Sequence, residues 1–144
     1  MDKEPSPEPI RISIVICVVT SDEGKVLVVK RAKPEVAPDG SVLEWTFPSG
    51  KIQADANESV ENAAVREIKE ETGCDVSNVV LLKEKDHEQF PVKAHYVAAK
   101  IANPTTTHSN DPEVSETRWV SKQELKTLVG TRIDPDVLKH LKID

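Results

Sequence analysis

The stretch "AAVREIKEETG", residues 63–73, decides how this chain is read. As a helix it puts Glu67, Glu70 and Glu71 at i, i+3 and i+4, on one face, with two of them in the last turn before Gly73. Local physics opposes the arrangement. Like charges at i,i+4 repel by a few tenths of a kcal/mol, and a helix C-terminus favours cations over carboxylates. Arg66 and Lys69 are the only nearby bases, so compensation within the helix is incomplete. A hard divalent cation would complete it, because Mg²⁺ is held by a few carboxylates together with ligand phosphates and water.

The boundaries of the helix are written beside the acids. Ser59 is a favoured N-cap and Gly73 the usual residue past a helix end. Val60, Ala64 and Ile68, with Ala63 beside them, mark the buried stripe. Glu67 and Glu71 then lie about a quarter turn away and border the core. On this reading Asn57-Glu58-Ser59 is a helix start, not a glycosylation site.

Working outward, "ISIVICVVT" (12–20) and "KVLVVKR" (25–31) flank Ser21-Asp22-Glu23-Gly24 and predict a hairpin. "AKPEVAPDGSVLE" (32–44) reads as a long surface loop, and "WTFP" as a short strand ending at Pro48. "NVVLLKEK" (78–85) and "FPVKAHYVAAKIA" (90–102) predict a second strand pair, and "ETRWV" a further strand. Ser121-Lys122-Gln123-Glu124 is a capping box opening a helix through Val129. Asp134-Pro135 opens a last short helix ending near Leu141. Irregular alternation of strands and helices predicts an α/β class, with helices on both faces of a mixed sheet. Residues 1–9 read as a disordered tail and 10–144 as a single domain.

Composition narrows the function. The chain has 144 residues, 38% hydrophobic and 31% charged, with a formal charge of −6. An acidic balance argues against life on the phosphate backbone of long nucleic acid, whose partners carry basic patches, but leaves a small phosphorylated ligand open. Cys17 and Cys74 lack metal-ligand spacing and read as core thiols of a reducing compartment. The N-terminus is acidic and proline-rich, unlike a secretory signal, and "ISIVICVVT" is too short to span a bilayer. The expectation is a cytoplasmic protein with no membrane partner. His87, His95, His108 and His140 show no ligand spacing.

"GKIQADANESVENAAVREIKEETGC" (50–74) closely resembles the signature box of the Nudix hydrolases (MutT-like). In that box a Gly, five residues, Glu, seven residues, then Arg-Glu-apolar-x-Glu-Glu-x-Gly-apolar form a loop, helix and loop. Glu58, Arg66, Glu67, Ile68, Glu70, Glu71 and Gly73 fall in place, and Cys74 fills the last apolar position. The departure is an insertion: seven residues separate Gly50 from Glu58 where the family has five, and Ser49 stands where a second glycine is common. Two extra loop residues cost little. "EWTFPSGK", the N-terminal hairpin and "PEVSETRWV" extend the resemblance over roughly residues 12–130.

The resemblance implies the Nudix α/β/α sandwich and Mg²⁺-dependent cleavage, with Mn²⁺ as a substitute. The bond cut is a pyrophosphate linkage in a nucleoside diphosphate joined to another group, with water attacking phosphorus. It implies Glu70 and Glu71 as metal ligands, Glu67 as ligand or general base, Arg66 as the residue orienting Glu67, and the Gly50 carbonyl as a further ligand. Glu58 would pair with Arg66. An acid outside the box is expected at Glu113, as ligand or base, with Glu116 its rival. Arg31, Lys51 and Phe90 are the candidate substrate-binding residues, the bases facing phosphates, with Lys30 beside them. Pro91 and Tyr96 lie near the positions of two subfamily markers, one for ADP-ribose and one for dinucleoside polyphosphates, and separate neither. The partner is a nucleotide-derived small molecule, and homodimers are common among relatives. An RNA 5′-end pyrophosphohydrolase and a non-catalytic nucleotide-binding domain are the alternatives.

Overall fold

The computed structural model describes residues 11–36, 40, 42–87, 91–102, 109–130 and 133–143. In chain order the elements are β1 (Ile12–Thr20), β2 (Val26–Val36), β3 (Val42–Thr46), β4 (Ser49–Lys51), α1 (Val60–Thr72), β5 (Val76–Asp86), β6 (Val92–Ile101), β7 (Val114–Val120), α2 (Lys122–Val129) and α3 (Pro135–Leu141). The seven strands form one mixed sheet, ordered β3-β2-β1-β6-β5, with β4 paired to β1 and β7 to β2. Among the described residues only β1 and β6 run parallel.

Side-chain alternation along the strands divides the core in two. Val15, Cys17 and Val19 of β1 pack with Leu27 and Val97 against Ala63, Ala64 and Ile68 of α1. Val18, Val26 and Val28 point the other way, onto Leu125 and Val129 of α2 and Val137 and Leu141 of α3. Helices thus cover both faces, as the pattern predicts. The capping box at Ser121 forms, Ser121 Oγ accepting the Glu124 amide at 3.1 Å and Glu124 Oε1 the Ser121 amide at 3.3 Å.

What positions the site is a splay in the sheet. β1 and β2 are paired at their turn end, Thr20 opposite Val26. From there β1 continues against β4 and β6, and β2 against β3 and β7. The gap between the diverging halves opens a cleft floored by Ile14 and Ile16, with Arg31 on its β2 side.

β2, β3 and β4 differ from the sequence reading, and the strand expected at residues 45–48 runs instead over Val42–Thr46, ending before Pro48. The long loop expected over 32–44 is shorter, because β2 runs on to Val36 and β3 starts at Val42. Pro34 is tolerated there because the β2–β3 register shifts between Lys30 and Glu35, so no regular ladder bond is required of it. Residues 49–51 form a strand that Ser-Gly-Lys would not choose alone; pairing with β1 imposes it. The expected N-terminal tail, Phe90 and His108 lie outside the described residues. No helix among the described residues is long and apolar enough to cross a membrane.

Ile68 is fully buried between helix and sheet. Ile68→Ala should therefore lower unfolding stability by about 3 kcal/mol, measured by urea denaturation with the slope of the transition unchanged.

Candidate active site

The three acids stand where α1 passes over β4. Ser59 Oγ accepts the Asn62 amide at 3.1 Å, and Gly73 closes the helix at φ 74° with its amide on the Lys69 carbonyl. Glu67 and Glu71 are buried at 8% and 7% exposure, while Glu70 faces solvent. Gly50 makes the approach possible, because a Cβ there would overlap the carboxyl group of Glu67. The glycine is required by contact, not by a left-handed backbone.

Register settles which backbone atoms of β4 face the acids. The Cys17 amide donates to Pro48 O at 2.8 Å and the Ile52 amide to Ser13 O at 3.0 Å, with Val15 opposite Gly50 between them. Antiparallel alternation then turns both backbone groups of Gly50 toward β1 and those of Ser49 away. Accordingly the Ser49 amide donates to Glu71 Oε2 at 3.2 Å. The β4 carbonyls that leave the ladder on the acid side are those of Ser49 and Lys51; Arg66 takes the second, which leaves that of Ser49, one residue before the expected Gly50.

Arg66 ties the loop to the helix. Its Nε and Nη2 form a fork on Glu58 at 2.8 and 2.9 Å, Nη2 also donates to Lys51 O at 2.9 Å, and Nη1 donates to Glu67 Oε1 at 2.8 Å. Glu70 Oε2 lies 3.5 Å from the same Nη1. Hydrogen bonds from Arg66, and then the Gln53 amide, hold the Glu58 carboxyl down at about 2, and the Arg66 guanidinium is pushed up by Glu58. The two inserted residues are absorbed in a 3₁₀ turn, Ala54–Ala56, closed by Asn57 at φ 56°. Glu58 Oε1 accepts the Gln53 amide at 2.9 Å across that turn, so the bulge ends before the acids begin.

Electrostatics mark the cluster as short of positive charge. Burial first, then Glu67 and Asp111, push Glu71 up to about 8 against the Ser49 amide and Arg31. Burial likewise raises Glu67, opposed by Arg66 and reinforced by Glu70 and Asp111. Cys17, sealed beneath them, has its thiol pushed up by burial and then by Glu71 and Glu67.

Asp111 is the acid that the sequence did not single out. Its loop is tied to α1 by the Asn110 amide on Glu70 O at 3.1 Å. Asp111 Oδ1 accepts the Glu113 amide at 2.9 Å. Glu113 is exposed, and among the described residues only its backbone is engaged, its carbonyl accepting the Ala32 amide at 2.8 Å. Glu116 pairs with Arg118 at 2.7 Å, next to Trp45. The structure thus gathers Gly50, Arg66, Glu67, Glu70 and Glu71, leaves Glu113 and Glu116 aside, and brings in Asp111.

Beside the acids lies a cavity of about 220 Å³ whose lining includes Ile14, Ile16, Leu43, Phe47, Ser49 and Tyr96. Arg31 enters it with a buried Nε that has no hydrogen-bond partner among the described residues, its Nη1 lying 3.8 Å from Glu35. Lys51 is exposed, its carbonyl taken by Arg66; Lys30 is engaged with Glu44 at 3.2 Å and with the Trp45 ring.

The donor set fits a hard divalent cation in kind: all oxygen, carboxylate-rich, and gathered in a hollow that only glycine leaves open. As the side chains stand, no three His, Cys, Asp or Glu of the described residues converge on one point. Glu67 and Glu70 lean on Arg66, and Glu71 on Ser49.

The Glu58–Arg66 fork has a pH signature. A carboxyl held at about 2 in the fold and near 4.5 when free adds stability above pH 4.5, which is lost as pH falls toward 2. Glu58→Gln should lower the midpoint of thermal unfolding at pH 7 and flatten its decline between pH 4.5 and 2, as read by circular dichroism.

The family model described as NUDIX domain matches residues 10–141. A NUDIX hydrolase from Nitrosomonas europaea superposes with a TM-score of 0.73 at 24% identity, covering 92% of this chain and 70% of that one. The NUDIX domain of Shewanella oneidensis NrtR, solved with ADP ribose, gives 0.70 at 18% identity, covering 91% and 88%. A C. elegans Ap4A hydrolase gives 0.62 at 19% identity, covering 90% and 92%. A search of curated proteins returns no match. At these identities the solved structures establish the fold, and the family model establishes the lineage. The chain belongs to the NUDIX family of pyrophosphohydrolases.

Proposed function

We propose that this protein hydrolyses a pyrophosphate linkage in a nucleoside diphosphate joined to a second moiety, releasing a nucleoside monophosphate. The observation that carries the reading is the buried pair Glu67, against Gly50, and Glu71, on the Ser49 amide, with Glu70 and the Asp111 loop beside them. The carboxylates of Glu67, Glu70, Glu71 and Asp111, with the Ser49 carbonyl, would hold Mg²⁺, or Mn²⁺ in its place. When bound, the ion neutralises phosphate oxygen charge and acidifies water.

The chain's own residues supply the rest. A water oxygen forms a bond to phosphorus while the bridging P–O bond breaks, and the bridging oxygen departs with that electron pair as part of the leaving phosphate. The proton released by the water goes to a carboxylate, and Glu67 is the buried one that Arg66 Nη1 holds at 2.8 Å, closer than the exposed Glu70 at 3.5 Å. Phosphoryl transfer depends on positioning and charge more than on covalent help, so this clamp is where geometry enters the rate. Arg31 presents a donor that has no partner among the described residues to the anionic part of the substrate, and the apolar floor of Ile14, Ile16 and Phe47 takes its organic part. Two buried free thiols suit a cytoplasmic setting.

A turnover panel with Mg²⁺ and with EDTA tests the reading. It offers ADP-ribose and other nucleotide sugars, dinucleoside polyphosphates, nucleoside triphosphates and 5′-triphosphorylated RNA, with products identified by mass. Metal-dependent release of a nucleoside monophosphate from one class is the expected result. No turnover of any class would overturn the catalytic reading in favour of a binding domain, and triphosphorylated RNA as the single substrate would overturn the small-molecule one. Glu67→Gln should cut kcat by about 10²- to 10⁴-fold, and wild-type turnover in that variant would remove Glu67 from the mechanism. Gly50→Ala should fold, at a cost of about 1–3 kcal/mol from overpacking, and lose most activity because the new methyl displaces Glu67.

A further inference from the structure

A second cavity, of about 380 Å³, opens on the α2/α3 side of the sheet, at the turn joining β1 to β2. Its polar lining comes from four places in the fold: Thr20 and Ser21 at the end of β1, Lys100 on β6, Lys122 at the start of α2, and His140 and Lys142 at the end of α3. Asp22 is the acid on its rim. Thr20 and Lys100 are register partners across the β1–β6 pair, so their side chains leave the sheet side by side. Lys142 follows α3 in the left-handed region, φ 58°, its amide closing on the carbonyls of Leu138 and Lys139.

The charges here are not spent elsewhere. Among the described residues Lys100, Lys122 and Lys142 form no ion pair, a condition they share with Lys25, Lys33, Lys51 and Lys139, whereas Lys30, Lys69, Lys83, Lys85 and Lys93 each have a carboxylate within 4.0 Å; what sets the three apart is that they share one cavity. In a chain of formal charge −6, three lysines line one concavity, and among the described residues of its lining Asp22 is the one acid. Ser21 Oγ accepts the Lys25 amide at 3.1 Å, which leaves its hydroxyl hydrogen free to donate. The lining therefore offers three cationic donors and two hydroxyls, the complement of a compact tetrahedral dianion.

We propose that this cavity binds a phosphate dianion, either inorganic phosphate or the terminal phosphoryl group of a monoester. It is separate from the acid cluster, which lies on the α1 face, and from the cleft, since α3 stands between them: its N-cap Asp134 lines the cleft and its last turn lines the basic cavity. The inference does not depend on the catalytic reading.

The test is a ¹⁵N–¹H correlation titration of the whole chain with inorganic phosphate at fixed ionic strength, against sodium chloride, with a nucleoside monophosphate in a parallel arm. Saturable shifts of the Thr20, Ser21, Lys100 and Lys122 amides that chloride does not reproduce are expected. Equal affinity in both arms would identify free phosphate as sufficient, and tighter binding of the monoester at these amides would identify the esterified group. Lys100→Gln and Lys122→Gln should each weaken phosphate binding about fivefold, roughly the 1 kcal/mol of one exposed charge pair. Amide dispersion in the same spectra reports that each variant is folded, and if one is not, the other is read. No shift in either arm, shifts matched by chloride, shifts confined to residues near Gly50, or a folded variant with unchanged affinity would overturn the proposal.

Discussion

The carboxyl group of Glu67 occupies the space that a side chain at residue 50 would fill. Much of the site follows from that close approach. It brings the last turns of α1 down onto β4, which β1 holds in place by pairing. It also buries two acids that water would otherwise solvate. Burial of carboxylates is costly where compensation is partial, and here Arg66 and the Ser49 amide offset it only in part: burial pushes Glu71 up to about 8 and Glu67 in the same direction. A fold that gathers such groups and leaves them short of cations is prepared for a ligand that brings positive charge.

Arg66 keeps the arrangement from collapsing. One guanidinium serves Glu58, Glu67 and the Lys51 carbonyl, so a single planar group fixes the loop, the helix and the orientation of an acid together. A lysine has neither the fork nor the reach across three partners. The same clamp explains why two inserted residues do no harm. They swell the chain between Gln53 and Glu58, and the bond between those two residues seals the bulge.

Most of this was legible in the residues. Ser59 and Gly73 bound α1 as written because caps are local chemistry, and the offset of Glu67 and Glu71 from the apolar stripe correctly implied burial at its border. The fold class was legible for the same reason, since alternation and caps repeat in every element. What escaped was set by distance in space. Asp111 and Glu113 are two residues apart in one turn, and nothing in "NDPEV" says which faces α1; the Asn110 amide on the Glu70 carbonyl decides it. Likewise β4 exists because β1 is beside it, and the choice between the carbonyls of Ser49 and Gly50 is a matter of register. The basic cavity draws on residues from 20 to 142, a convergence that no local pattern carries.

Direct binding of Mn²⁺, counted by electron paramagnetic resonance of the free ion, tests the central claim most closely, because it asks about the acids without reference to any substrate. The account predicts saturable binding by the native chain and its loss in a folded Glu71→Gln variant. Saturable binding of equal strength in both proteins, or none in the native chain with a nucleoside diphosphate present, would contradict it.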